Sequence, residues 1–188
     1  TWVLTGAKNY VVDGHVANLL LIVARTDAGV SLFAVEGNAA GLRREKLSTL
    51  DQTRTLASVT LDGVTGRLIG EEGAAWPVVQ RAVDLAIVAM SCEQVGGSQR
   101  CLDMSVEYAK VRVQFGRPIG SFQAIKHKCA DVLVDVESAK SAAYYAAWCA
   151  SELNDELPAM ASMARAFCSE VYSKAAAENI QIHGGIGF

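Results

Sequence analysis

Near Gly73 the hydrophobic pattern of this chain changes period, and that change limits the possible folds more than any other feature. Before it, short apolar runs are punctuated by Gly, Asp and Asn. After it, Trp76, Val79, Val83, Ile87 and Met90 recur at threes and fours, the spacing of an amphipathic helix. The expected fold class is therefore α+β. Residues 1–72 read as a small antiparallel β-barrel or sandwich, and residues 73–188 as an antiparallel helical bundle.

Within the first part, Leu19–Ala24 suits a buried strand and Thr26-Asp27-Ala28-Gly29 a turn. Val30–Val35 alternates and returns as the partner strand. Gly37 to Gly41 reads as a loop, Ala57–Leu61 as a further strand and Asp62-Gly63 as a turn. In the second part, Pro77 fits a first helical turn, and the helical pattern runs to about Tyr108, with Gly96-Gly97 as a soft point for close helix packing or a kink. Ser121 is placed to cap a second helix running from Phe122 to about Glu152, whose apolar face is Ile125, Val132, Val136, Ala139 and Ala143. Asn154-Asp155 and Pro158 start a third, with Met163, Phe167 and Val171 on one stripe, and Gly184-Gly185 ends it.

Composition excludes several functions. The net charge of −3 offers no electrostatic case for nucleic acid or an anionic membrane surface. No apolar run reaches the length of a membrane span, and no signal peptide is visible. The chain opens in strand-like sequence at Trp2 and Leu4, which suggests a piece of a longer protein. Five cysteines, an odd number with no metal or redox spacing, all fall in helical patterns. Reduced, mostly buried thiols in a cytoplasmic protein are expected. Scattered His15, His127 and His183 argue against a metal site.

Between the first two helices lies Arg112-Val113-Gln114-Phe115-Gly116-Arg117-Pro118-Ile119-Gly120-Ser121-Phe122-Gln123. Gly116, Pro118 and Gly120 break helical periodicity there. Two arginines and two amides flank Phe115. An arginine can clamp a phosphate with two parallel hydrogen bonds, and a glutamine can read an amide or purine edge. The same residues also suit an arginine-capped connection between helices, so motif chemistry leaves both readings open.

The pattern R-x-x-F-G-x-P-I-x-x-F-Q, beginning at Arg112, resembles a signature of the acyl-CoA dehydrogenase family. Gln181-Ile182-His183-Gly184-Gly185-Ile186-Gly187-Phe188 resembles that family's Q-x-x-G-G-x-G-[FY], and the two lie at about the family's spacing. The resemblance covers essentially the whole chain. It implies the family's middle β-domain followed by part of its C-terminal helical domain, without the N-terminal helical domain or the Thr-Glu-Pro flavin loop. It implies FAD as cofactor, an acyl-CoA thioester as substrate, an electron-transfer flavoprotein as acceptor, and a dimer or tetramer. Fatty-acid or sterol side-chain metabolism is the implied setting.

By the same resemblance, Arg112, Gln114, Phe115, Phe122 and Gln123 meet the pyrophosphate and adenine end of a neighbouring subunit's FAD, and Gln181, Gly184 and Gly185 its adenosine. Leu4-Thr5-Gly6 and Lys8–Asp13 resemble the family's strand along the isoalloxazine ring, with Tyr10 for its tryptophan, Val12 for its threonine and Asp13 for its asparagine. Tyr10 can still stack, whereas Val12 has no hydroxyl to donate. Where the family often carries Asp and Arg one turn apart for CoA, this chain has Asp84 and Ile87, with Arg81 a turn the other way as a substitute or as a solvated residue.

No catalytic base is assigned. The family's usual glutamate lies beyond Phe188, and nothing singles out Glu93, Glu107 or His183. Two further readings stay beside the dehydrogenase: a non-catalytic or half-site subunit of a heteromer, and a flavin-dependent acyl-CoA oxidase of the same fold.

Overall fold

The structure is a computed structural model that describes residues 1–188. Two compact units divide between Val79 and Gln80. The first holds β1 (Trp2–Val12), β2 (Leu19–Thr26), β3 (Gly29–Glu36), β4 (Leu42–Lys46) and β5 (Leu56–Ile69). All pair antiparallel in one curled sheet of order β1-β5-β3-β2, with β4 also on β5. Leu4, Leu20, Ile22, Phe33, Val35, Val59, Leu61 and Val64 form its core. Each such side chain contributes about 1.5–3 kcal/mol on burial.

Two expectations for this unit need correction. Asp62-Gly63 is no turn: β5 runs straight through it. One residue of β1, Thr5, faces both Asp62 and Gly63, so the pair is a bulge, and Gly63 supplies the left-handed φ of 65° that the bulge demands. Leu19–Ala24 is not buried on both faces either. Leu20 and Ile22 enter the core, while Leu19 and Leu21 point outward and are exposed. A continuous apolar run carries no phase, so it cannot show that one face stays open.

The helices are α1 (Trp76–Val111), α2 (Gln123–Ser151) and α3 (Leu157–His183). Residues 113–114 and 117–118 form two short strands, β6 and β7, between α1 and α2. The second compact unit, Gln80–Phe188, is organised around small residues. Ala139, Ala143, Ala146 and Cys149 of α2 and Ala161, Ala164, Cys168 and Ala175 of α3 are all buried. Side chains this small let helix backbones approach closely, and close approach is rich in dispersion contacts.

The stripe expected on the first helix faces inward only in part: Ile87 packs against the core and Val79 is half-buried. Trp76, Val83 and Met90 are exposed. The buried residues are Asp84, Val88, Ser91, Ser98, Leu102, Ser105 and Ala109, a seven-residue repeat with serine in three successive repeats. Each serine hydroxyl donates to the carbonyl four residues back, to Ile87, Gln94 and Cys101, at 2.7–2.9 Å. That bond removes most of the cost of burying a hydroxyl, so the face needs little hydrophobicity.

Other helical expectations shift too. At Gly96-Gly97 the helix does not break; Gly97 instead allows the close helix packing, with the Tyr172 ring of α3 2.7 Å from where its side chain would begin. Met163 is half exposed, but Val171 is buried and Phe167 packs against the core, with Ala164 and Cys168 completing the α3 stripe. Ser121 does not cap α2: its hydroxyl donates to the Pro118 carbonyl at 2.7 Å, and Phe122 takes the N-cap position. No helix is long and apolar enough to cross a membrane.

Candidate cofactor-facing site

The segment after α1 folds back as a hairpin. The Arg112 amide donates to the Tyr108 carbonyl at 2.9 Å and closes the last helical turn. Val113 then pairs with Pro118, and Gln114 with Arg117, around a two-residue tip. Both tip residues have positive φ, 56° at Phe115 and 77° at Gly116. A two-residue hairpin of this mirror type requires both, and glycine meets the demand freely. A phenylalanine does not, and holding it there costs on the order of 1–2 kcal/mol. Yet Phe115 is 91% exposed, so burial does not offset the strain.

Around that tip the side chains touch one another. The Arg117 guanidinium sits 4.1 Å from the Phe122 ring centre. Phe122 meets Phe115 edge-to-face at 6.1 Å between centres. Gln114 Nε2 donates to the Val113 carbonyl at 2.9 Å. The unit's ion pairs are Lys128–Glu178, Lys140–Glu137 and Lys174–Asp135, so neither Arg112 nor Arg117 is neutralised. Gln123 opens α2 on the exposed surface.

At the C-terminus of α3, Gly184 ends the helix with φ 66° and ψ −141°, a conformation open to glycine and hardly to other residues. Nothing lies within 4 Å of where a side chain on Gly184 or Gly185 would begin, and Gln181 is exposed beside them. This end of α3 meets the end of α1. The His183 imidazole stacks on Tyr108 at 4.2 Å, and its Nδ1 donates to the Asn179 carbonyl at 2.8 Å. Ser105 Oγ lies 2.9 Å from the Asn179 amide oxygen. The segments 112–123 and 181–187 therefore share one end of the bundle.

In the β unit, Tyr10 occupies a bulge of β1: Asn9 and Tyr10 together face Ser58 of β5. Its φ of 60° turns the ring outward, where it is largely exposed, and Val12 is exposed two residues on. A groove of about 440 Å³ runs past Lys8, Tyr10, Val12, Leu19 and Leu21. Asp13 accepts a hydrogen bond from the Thr55 hydroxyl, and Asn9 Oδ1 accepts one from Ser58 at 2.9 Å.

Asp84 is buried, and its one side-chain partner is Gln80, whose amide donates to it at 3.3 Å. Arg81 is half-buried and pairs with no carboxylate. Glu93 and Glu107 both stand in solvent on α1. The family resemblance assigns no role to Tyr108, and none to Arg117 beyond its place as one of the two arginines flanking Phe115. The two-residue register of the tip, which sets Arg117 opposite Gln114, is the signal that brings Arg117 in.

The model of the acyl-CoA dehydrogenase C-terminal domain matches residues 73–188. The chain belongs to the acyl-CoA dehydrogenase family. It is 38% identical over 178 residues to acyl-CoA dehydrogenase IpdE2 of Mycobacterium tuberculosis, covering 95% of this chain and 49% of that protein. The fold matches that of butyryl-CoA dehydrogenase from Megasphaera elsdenii with a TM-score of 0.94 at 28% identity, over 99% of this chain and 51% of the other. The ChsE4-ChsE5 complex from Mycobacterium tuberculosis also matches, with a TM-score of 0.85 at 32% identity, over 98% and 50%. This acyl-CoA dehydrogenase chain thus spans about half the length of the curated relatives it matches.

Proposed function

We propose that this chain is part of an FAD-dependent acyl-CoA dehydrogenase that introduces an α,β double bond into an acyl-CoA thioester and passes electrons to an electron-transfer flavoprotein. The observation that carries this reading is Phe115, held exposed and strained between two unneutralised arginines at the bundle end that also bears Gly184. Those residues fit the adenosine diphosphate part of FAD. Arg112 and Gln114 would hold its phosphates, Phe115 and Phe122 its flat base, and the bare backbone at Gly184 and Gly185 would let a sugar or phosphate come close. Gln123 and Gln181 flank the two segments with exposed amides. The β unit, taken by itself, would offer Tyr10, beside Val12, to a flavin ring system, whereas the bundle-end residues would meet the FAD of a neighbouring subunit. When bound, FAD accepts the hydride that leaves the β carbon. Abstraction of the α proton needs a carboxylate in a dry site, and neither Glu93 nor Glu107 occupies one. CoA contact through Asp84 and Arg81 would require the Asp84 carboxylate to be reached from the surface.

A second reading, a subunit that completes the site of a paralogous partner, is supported by β1 and α1. Val12 offers no hydrogen bond where the family strand has one, and Asp84 has no cation beside it. A structure named as a two-component complex is among those that share this fold.

One experiment separates the readings. The full-length protein is purified alone with excess FAD, freed of unbound flavin, and its visible spectrum followed on anaerobic addition of acyl-CoA. Retained flavin that bleaches supports the dehydrogenase. No retained flavin, restored only by co-expression with a paralogue, supports the half-site subunit. Peroxide release in air would point to an oxidase.

A further inference from the structure

The hairpin tip carries a second arginine. Side chains alternate across a strand, so residues two apart share a face. Gln114 pairs with Arg117, and the Ile119 amide donates to the Arg112 carbonyl at 2.8 Å, which sets Arg112 opposite Ile119. Arg112, Gln114 and Arg117 therefore line one face, with the two arginines as diagonal neighbours about 7–8 Å apart along the backbone. Like charges so placed repel, and no carboxylate of this unit pairs with either. Arg117 is also held in place. Its guanidinium rests on Phe122, and Phe122 is braced by Phe115. An exposed arginine usually wanders among rotamers; one stacked on a ring has already lost part of that freedom and loses less when a ligand arrives.

We propose that Arg117 is a second cofactor-facing cation of this turn, pre-positioned on Phe122, which with Arg112 forms a two-arginine clamp for the diphosphate of a dinucleotide. This rests on the FAD reading above. A lone stacking role would leave the charge unused. The paired face gives that charge a task, because an anion between the two guanidinium groups relieves their repulsion and accepts hydrogen bonds from both.

The test uses the full-length protein, with its usual partner subunit if it has one. FAD dissociation constants are measured for the wild type, R112A, R117A, R117K and R117M at several salt concentrations. R117A and R117M are expected to bind FAD about tenfold more weakly, with a shallower dependence on salt, because one charge–phosphate contact is gone. R117K should recover part of the loss, since it keeps the charge and loses the planar fork. R117M keeps an apolar cover on Phe122, so it remains the deciding variant if R117A melts early. Wild-type affinity and salt slope in R117M, with loss in R112A, would overturn the clamp and leave the FAD reading standing. Unchanged binding in both R112A and R117M would overturn both.

Discussion

Tyr108, four residues before the hairpin, stacks on His183, one residue before the Gly184 helix stop, with ring centres 4.2 Å apart and planes 23° apart. The pair joins the C-terminal ends of α1 and α3. It also fixes which end of the bundle presents the exposed aromatic and which presents the bare glycines. Stacked aromatic pairs contribute about 0.5–1.5 kcal/mol beyond area burial. A double-mutant cycle of Tyr108→Ala and His183→Ala, read by urea unfolding, should return a coupling of about that size. Simple additivity would show that the rings only happen to be near.

Arg112→Ala in the full-length protein should lower FAD occupancy while the far-ultraviolet circular dichroism stays unchanged. Arg112 is exposed and belongs to no ion pair, so its loss leaves the fold intact. Arg112→Lys should rescue incompletely, because an ammonium lacks the two-pronged geometry. Equal flavin content in all three proteins would contradict the assignment.

Gly96 and Gly97 are neighbours on α1 with opposite expectations. Space around Gly96 is open, so Gly96→Ala should stabilise by about 0.5–1 kcal/mol through helix propensity. A methyl group at Gly97 would fall 2.7 Å from the Tyr172 ring of α3. Gly97→Ala should therefore be less stable than Gly96→Ala by about 1–3 kcal/mol. Thermal melts of the two variants check the order, and equal melting temperatures would mean that Tyr172 swings away freely.

The five thiols should react unequally. Cys92 is exposed, whereas Cys149 and Cys168 are buried and Cys101 and Cys129 half-buried. Burial raises the pKa of all four of these above the usual thiol value, which lowers their thiolate fraction at neutral pH. A native-state titration with a thiol reagent at pH 7–8 should show one fast equivalent, lost in Cys92→Ser. As the pH rises, the slow groups should begin to react in a range above that of an ordinary thiol. Several fast equivalents in the native protein would mean that the α1–α3 packing opens readily.

Some of this protein is written in local chemistry and survives any arrangement of its neighbours. Pro118 and Gly184 as breakers, Pro158 in a first helical turn and the non-helical turn at 112–123 act through backbone torsions of single residues, and the strand-to-helix change near Gly73 through the hydrophobic period, so the sequence alone determined them. The two flavin-family motifs were equally legible, as strings of residue types. Other features were decided by packing. Hydrophobicity selected Trp76, Val83 and Met90 as the inner face of α1, but Asp84, Ser91, Ser98 and Ser105 face inward instead. Buried serines bonded to their own helix cost little, and they allow a closeness that tryptophan and methionine would prevent, a benefit no one-dimensional pattern records. The same holds at the candidate site. The motifs list Arg112, Gln114 and Phe115, but their shared face with Arg117, the outward strain at Phe115 and the meeting of Tyr108 with His183 exist only once the hairpin closes and the helix ends come together. Tertiary structure decided these because they depend on distances between residues far apart in the chain, and sequence order sets no such distance.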